Sequence, residues 1–80
     1  MPRLTLYLRD GCNLCDEATV LLDEMIGRDR YERADIGTSE ELLVRYAHRI
    51  PVLSVDGSDV LEAPITGPDL RDVMSRMDDA

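Results

Sequence analysis

A strand pattern that turns straight into a helix pattern, with both cysteines at the join, constrains this chain more than any other feature. The stretch reads "LYLRDGCNLCDEATVLL". Residues Arg3 to Leu8 alternate weakly and are rich in Leu, Thr and Tyr, which predicts a strand. "RDG" turns the chain. From there Leu14, Ala18, Leu21, Leu22 and Met25 step along one helical stripe, and Gly27 is placed to end it. Cys12 falls at the helix start and Cys15 one turn inside. Three readings stand open for such a pair: half a zinc site, two ordinary buried cysteines, or a redox couple.

The rest of the chain continues the alternation. "RYERADI" predicts a second strand. Thr38 or Ser39 is placed to cap a second helix, with Leu42, Leu43, Tyr46 and Ala47 on its inner face. Glu40 and Glu41 suit its first turn, where the helix dipole favours negative charge. Ile50 and Pro51 precede a strand at "VLSV". "DGSD" is a turn signal between that strand and "VLEAPI", so the two form a hairpin, with Pro64 at an edge or strand end. Gly67 and Pro68 open a last helix whose apolar face is Leu70, Val73, Met74 and Met77. The expected order is β-α-β-α-β-β-α, an α/β fold with a four-stranded mixed sheet in a single domain over residues 1–80.

Charge narrows the partners. Seventeen acidic and nine basic residues leave a formal charge of −8, and every basic residue is Arg. A chain of this sign does not neutralise phosphates, so nucleic acid is not an expected partner, and neither is an anionic lipid surface. No run reaches membrane-spanning length, and no signal peptide is evident. The expected location is the cytoplasm, where a lasting structural disulfide is disfavoured and a close pair turns toward catalysis or metal.

Position favours redox chemistry. Free N–H groups and the helix dipole favour negative charge at a helix start, which suits Cys12 as a thiolate. The outer cysteine would attack a disulfide and the inner one would resolve the mixed disulfide. A zinc site needs about four ligands, and His48 is the one other Cys or His in the chain. At the end of the second helix, His48 reads more simply as a companion of the helix C-terminus.

With "GCNLCDEA" early and "RIPVL" and "DG" later, most of the chain resembles the thioredoxin superfamily, and within it a small bacterial family of short glutaredoxin-like proteins. The resemblance implies a thioredoxin-like fold, with Cys12 as nucleophile, Cys15 as resolving cysteine and Pro51 as a cis-proline facing the pair. The Ile50 backbone would be free to pair with an extended substrate. Asn13 and Leu14 stand where relatives carry Gly-Pro or Pro-Tyr. The glycine pair with which dithiol glutaredoxins hold glutathione is missing from "LEAPITGPDL". Arg9 or Arg49 remains to hold a carboxylate through paired donors.

The function expected is a thiol–disulfide oxidoreductase that reduces protein or low-molecular-weight disulfides. Cys12 and Cys15 are its catalytic residues, and Pro51, Ile50, Asn13, Leu14 and Arg9 its substrate contacts. No bound cofactor is expected. Glutathione would act as co-substrate, with glutathione or a disulfide reductase as electron donor. A disulfide-bearing protein or a glutathione mixed disulfide would be the partner of a monomer. The alternative is a binding or adaptor protein on the same fold with little turnover.

Overall fold

The computed structural model describes residues 2–78. Strands β1 (Leu4–Leu8), β2 (Glu32–Asp35), β3 (Val52–Val55) and β4 (Ser58–Glu62) alternate with helices α1 (Asn13–Met25), α2 (Glu40–Tyr46) and α3 (Gly67–Asp78) in the expected order. One sheet of order β2-β1-β3-β4 results. β2 runs parallel to β1, because the crossover through α1 brings the chain back to the same end of the sheet. β3 is antiparallel to β1, and β4 to β3. The architecture is a thioredoxin-like α/β fold, a mixed sheet flanked by three helices.

The period of two along β1 divides the interior. Leu4 and Leu6 point to one side, where they meet Ala18 and Leu22 of α1, Leu53 of β3, Leu70 of α3 and Tyr31. On the other side Ile36, Tyr46 and Val52 form a smaller core, edged by Tyr7, Leu42, Leu43 and Ile50. Each fully buried aliphatic side chain contributes about 1.5–3 kcal/mol of transfer free energy. α1 and α3 thus cover one face, and α2 part of the other.

Local chemistry sets the turns. Asp56 (φ 51°) and Gly57 (φ 86°) make a two-residue hairpin turn of the kind that matches strand twist. α1 ends where the N–H groups of Ile26 and Gly27 both donate to the Leu22 carbonyl, at 2.8 and 3.1 Å. Gly27 then takes φ 107°, a conformation that an L side chain resists. Gly27→Ala is therefore expected to lower unfolding free energy by about 1–2 kcal/mol, read from urea denaturation. An unchanged midpoint would mean that the turn relaxes freely.

Four expectations need correction. The second strand is confined to Glu32–Asp35. Arg28–Arg30 forms a 3-10 turn ahead of it, and the Asp35 carboxylate accepts the Gly37 N–H at 2.8 Å to start another. The fourth strand begins at Ser58 rather than Val60, because the tight turn sets Ser58 opposite Val55. Leu14 lies outside the apolar stripe and is 46 % exposed, and Cys15 takes the inward position with Ala18 and Leu22. Ala47 is exposed, because α2 ends at Tyr46 and Ala47 only caps it.

This topology gathers one end of the sheet. β1 exits there toward Cys12, and β3 starts there after Ile50 and Pro51, with Tyr7 and Val52 paired across the two strands. β4 also ends there, its Glu62 opposite Val52.

Candidate functional site

The site begins with a helix cap. Cys12 has extended backbone (φ −105°, ψ 113°) and is the N-cap of α1, and its sulfur accepts the Cys15 N–H at 3.2 Å. That contact satisfies one of the orphan donors of the first turn with a thiol in place of the usual hydroxyl or carboxylate. Cys12 is half-buried and Cys15 buried, and both are free thiols. The helical period places the inner cysteine over the core, three residues before Ala18.

Burial pushes the Cys15 thiol up from its ordinary 9.0 to about 12. Its interaction with Cys12 adds to the rise, and a backbone hydrogen bond from Arg9 opposes it. The pair is thereby divided into an accessible sulfur and a sheltered one that keeps its proton. Iodoacetamide at pH 8 is expected to label Cys12 first, with Cys15 slower by about a hundredfold or more, since alkylation follows thiolate fraction and access. Equal labelling in the folded protein would contradict this division. The sign for stability follows. Between pH 9 and about 12 the folded, reduced protein holds a proton that the unfolded chain has released. The reduced protein therefore loses stability as pH rises through that window.

Around the pair, Arg9, Asp10, Asn13, Leu14, Asp16 and Glu17 are all exposed. Asp16 lies in the first turn of α1, a favourable place for a carboxylate. The Ile50–Pro51 bond is cis, as is Ala63–Pro64, and Pro51 is fully buried. The Ile50 backbone is not wholly free, as the resemblance implied. Its N–H donates to the Tyr46 carbonyl at 3.1 Å. That bond belongs to the end of α2, which comes at Tyr46, ahead of the Ala47 and His48 that the sequence reading put in the helix. Arg49 is engaged as well, donating to Glu62 at 2.8 Å and to Asp59 at 3.2 Å.

Asp59 escaped the sequence analysis because "DGSD" reads as a turn. Its carboxylate accepts from Ser54 at 2.6 Å and from Tyr46 at 3.1 Å, besides Arg49. Tyr46 stacks on Tyr7 with ring centroids 4.4 Å apart. No pattern in the sequence marks this cluster, whose members come from β1, α2, β3, β4 and the loop between α2 and β3.

A cleft of about 410 Å³ lined by Pro2, Leu4, Met25, Ile26, Met74 and Met77 lies at the other end of β1 from Cys12. Among the described residues no group of three or more His, Cys, Asp and Glu side chains is gathered closely enough to hold a metal ion. None of the described helices is long and apolar enough to cross a membrane.

Comparison with known proteins bears on the whole domain. The family described as the glutaredoxin-like domain (DUF836) matches residues 3–75. No curated protein matches the chain. Among solved structures, the structural-genomics target protein XcR50 from X. campestris is 34% identical. The alignment covers 91% of this chain and 96% of that one, with a TM-score of 0.80. Protein Ne2328 from Nitrosomonas europaea is 23% identical over 90% of this chain and 89% of its own, with a TM-score of 0.67. A glutaredoxin from Brucella melitensis is 20% identical over 95% and 82%, with a TM-score of 0.58. The last two likenesses show the fold.

Proposed function

The chain belongs to the glutaredoxin-like domain family (DUF836), and from that premise we propose that it is a dithiol oxidoreductase that reduces disulfides through Cys12 and Cys15. The fold and the cysteine pair together point to a thiol–disulfide redox role. The observation that carries the finer reading is the cap itself, an accessible sulfur 3.2 Å from the N–H of a buried second cysteine.

In the proposed cycle the Cys12 thiolate attacks one sulfur of a substrate disulfide. A bond forms between Cys12 and that sulfur, the substrate S–S bond breaks, and the other half leaves as thiolate. Cys15 then attacks the Cys12 sulfur. Its proton passes to the departing substrate thiolate, and a Cys12–Cys15 disulfide forms. Two electrons have moved from the pair to the substrate. Part of what holds Cys15 protonated is its interaction with the Cys12 sulfur. Capture of Cys12 in a mixed disulfide alters that part and leaves burial, the larger cause. Glutathione or a disulfide reductase would restore the dithiol.

Ile50, Asn13, Leu14 and Arg9 form the proposed substrate rim, while Pro51, expected from the sequence as a further contact, is fully buried and leaves that role to the Ile50 backbone before it. The Ile50 carbonyl is the acceptor offered to an extended chain, since its N–H serves Tyr46. A second reading, an adaptor with little turnover, draws on Leu14, an apolar side chain 46 % exposed beside the nucleophile.

The test is stoichiometric. Glutathione disulfide added to the reduced protein should remove both thiols and leave an intramolecular disulfide without added mass. A stable glutathione adduct on Cys12 with Cys15 still free would refute the resolving step and favour the adaptor.

A further inference from the structure

The cluster around Asp59 takes no part in the thiol chemistry, yet it is built by a departure from regular strand geometry. Leu53 pairs with Leu61 and Ser54 with Asp59, so Val60 is the extra residue of a β-bulge. In a regular strand Asp59 and Leu61 would share a face, while Asp59 and Glu62 would lie on opposite faces. The bulge reverses both relations. Leu61 packs against the larger core. Asp59 and Glu62 both reach Arg49, whose guanidinium also lies 5.3 Å from the Tyr46 ring centroid.

These contacts converge on one short segment. The Tyr46 carbonyl accepts the N–H groups of Arg49 and Ile50, at 2.8 and 3.1 Å, and the Arg49 carbonyl accepts the Ala63 N–H at 3.3 Å. The Tyr46 hydroxyl and the Arg49 side chain are in turn both held by Asp59. Tyr46 and Arg49 are thus tied directly to the β3–β4 hairpin, and Ile50 through Tyr46. Ion pairs as exposed as those of Arg49 with Asp59 and Glu62 add little to stability, so the distinctive consequence of the cluster is placement. Burial raises the Asp59 carboxyl, but the hydrogen bonds from Ser54, Tyr46 and Arg49 outweigh it and leave it below the ordinary carboxylate value. The carboxylate therefore keeps its acceptor role at neutral pH.

We infer that Asp59, acting through Tyr46 and Arg49, is a positioning residue that fixes the Ile50–Pro51 edge for an extended substrate, an assignment that rests on the thiol–disulfide reading above. Without this hold the segment has more freedom, and binding must first order it. The loss falls on substrate binding, because Cys12 is held separately by its own helix cap.

Two substitutions test this. Asp59→Asn keeps one acceptor oxygen for Ser54 and Tyr46 but loses the charge that holds Arg49. Arg49→Gln removes the half-exposed clamp and leaves the buried members in place. With a peptide–glutathione mixed disulfide as the probe, each variant is expected to raise KM about tenfold while kcat falls less than about twofold. Alkylation of Cys12 by iodoacetamide should match wild type, and hydrogen exchange at the Ile50 amide should quicken about tenfold. Unchanged KM and Ile50 exchange would overturn the inference. So would equal losses in kcat and Cys12 alkylation alongside a lowered Tm, the mark of general destabilisation. If the wild-type protein turns over no disulfide, the functional reading fails, and exchange at Ile50 alone decides whether Asp59 positions that edge.

Discussion

Cys12→Ser is expected to lower the rate of disulfide reduction by more than about a thousandfold, because a serine hydroxyl is not ionised at neutral pH and cannot form the mixed disulfide. The contrast with Cys15→Ser makes the measurement specific. That variant keeps the accessible sulfur at the start of α1 and loses the buried one. Its first step should proceed and then stall, so that a covalent adduct on Cys12 accumulates. Mass spectrometry after incubation with a peptide disulfide reads this directly. Serine at position 12 also serves as an N-cap, so loss of activity in Cys12→Ser is not a loss of the helix. Full turnover by Cys12→Ser would remove Cys12 as nucleophile. Adduct formation at Cys15 in that variant would invert the two roles.

The second large effect concerns stability. Leu22 is fully buried in the cluster with Leu6, Leu53 and Leu70, where α1 meets the sheet. Leu22→Ala deletes buried carbon atoms and leaves a cavity, at a cost of about 2–5 kcal/mol. A domain of this size has about 4–12 kcal/mol in total, so one substitution removes a large fraction of it. The melting temperature should fall by at least ~10 °C. Val44→Ala is the control. Val44 is 83 % exposed, and its truncation should change stability by less than about 0.5 kcal/mol. Far-ultraviolet circular dichroism suits both measurements, since the chain has no tryptophan. Equal melting temperatures for the two variants would refute the assignment of Leu22 to the core.

Much of this was legible in the chain. The order of elements follows from two periodicities, and the Asp56–Gly57 turn from the need for positive φ. The place of Cys12 at the helix start follows from a strand pattern that ends at "RDG". Leu14 shows where periodicity misleads. Its spacing to Ala18 is helical, but the inward face of that turn is taken by Cys15, in line with Ala18 and Leu22, and Leu14 beside it is left exposed. Periodicity reports a face of the helix, not how much of that face has a neighbour.

Asp59 and Arg49 mark the other boundary. Alone, one is an acid in a turn-like segment and the other a surface arginine. They meet because β3 pairs with β4 in a register broken at Leu53 and Ser54, and because that break turns Asp59 and Glu62 to one side. No local rule places Val60 in a bulge, for its cause is the competing demand of two faces of the sheet. The amino-acid order by itself determined which elements form, where the turns lie and which cysteine starts the helix, because those depend on residues a few positions apart. The tertiary structure alone decided that Cys15 is sheltered and that one carboxylate holds the loop before Pro51. Those outcomes depend on which distant segments the sheet brings together.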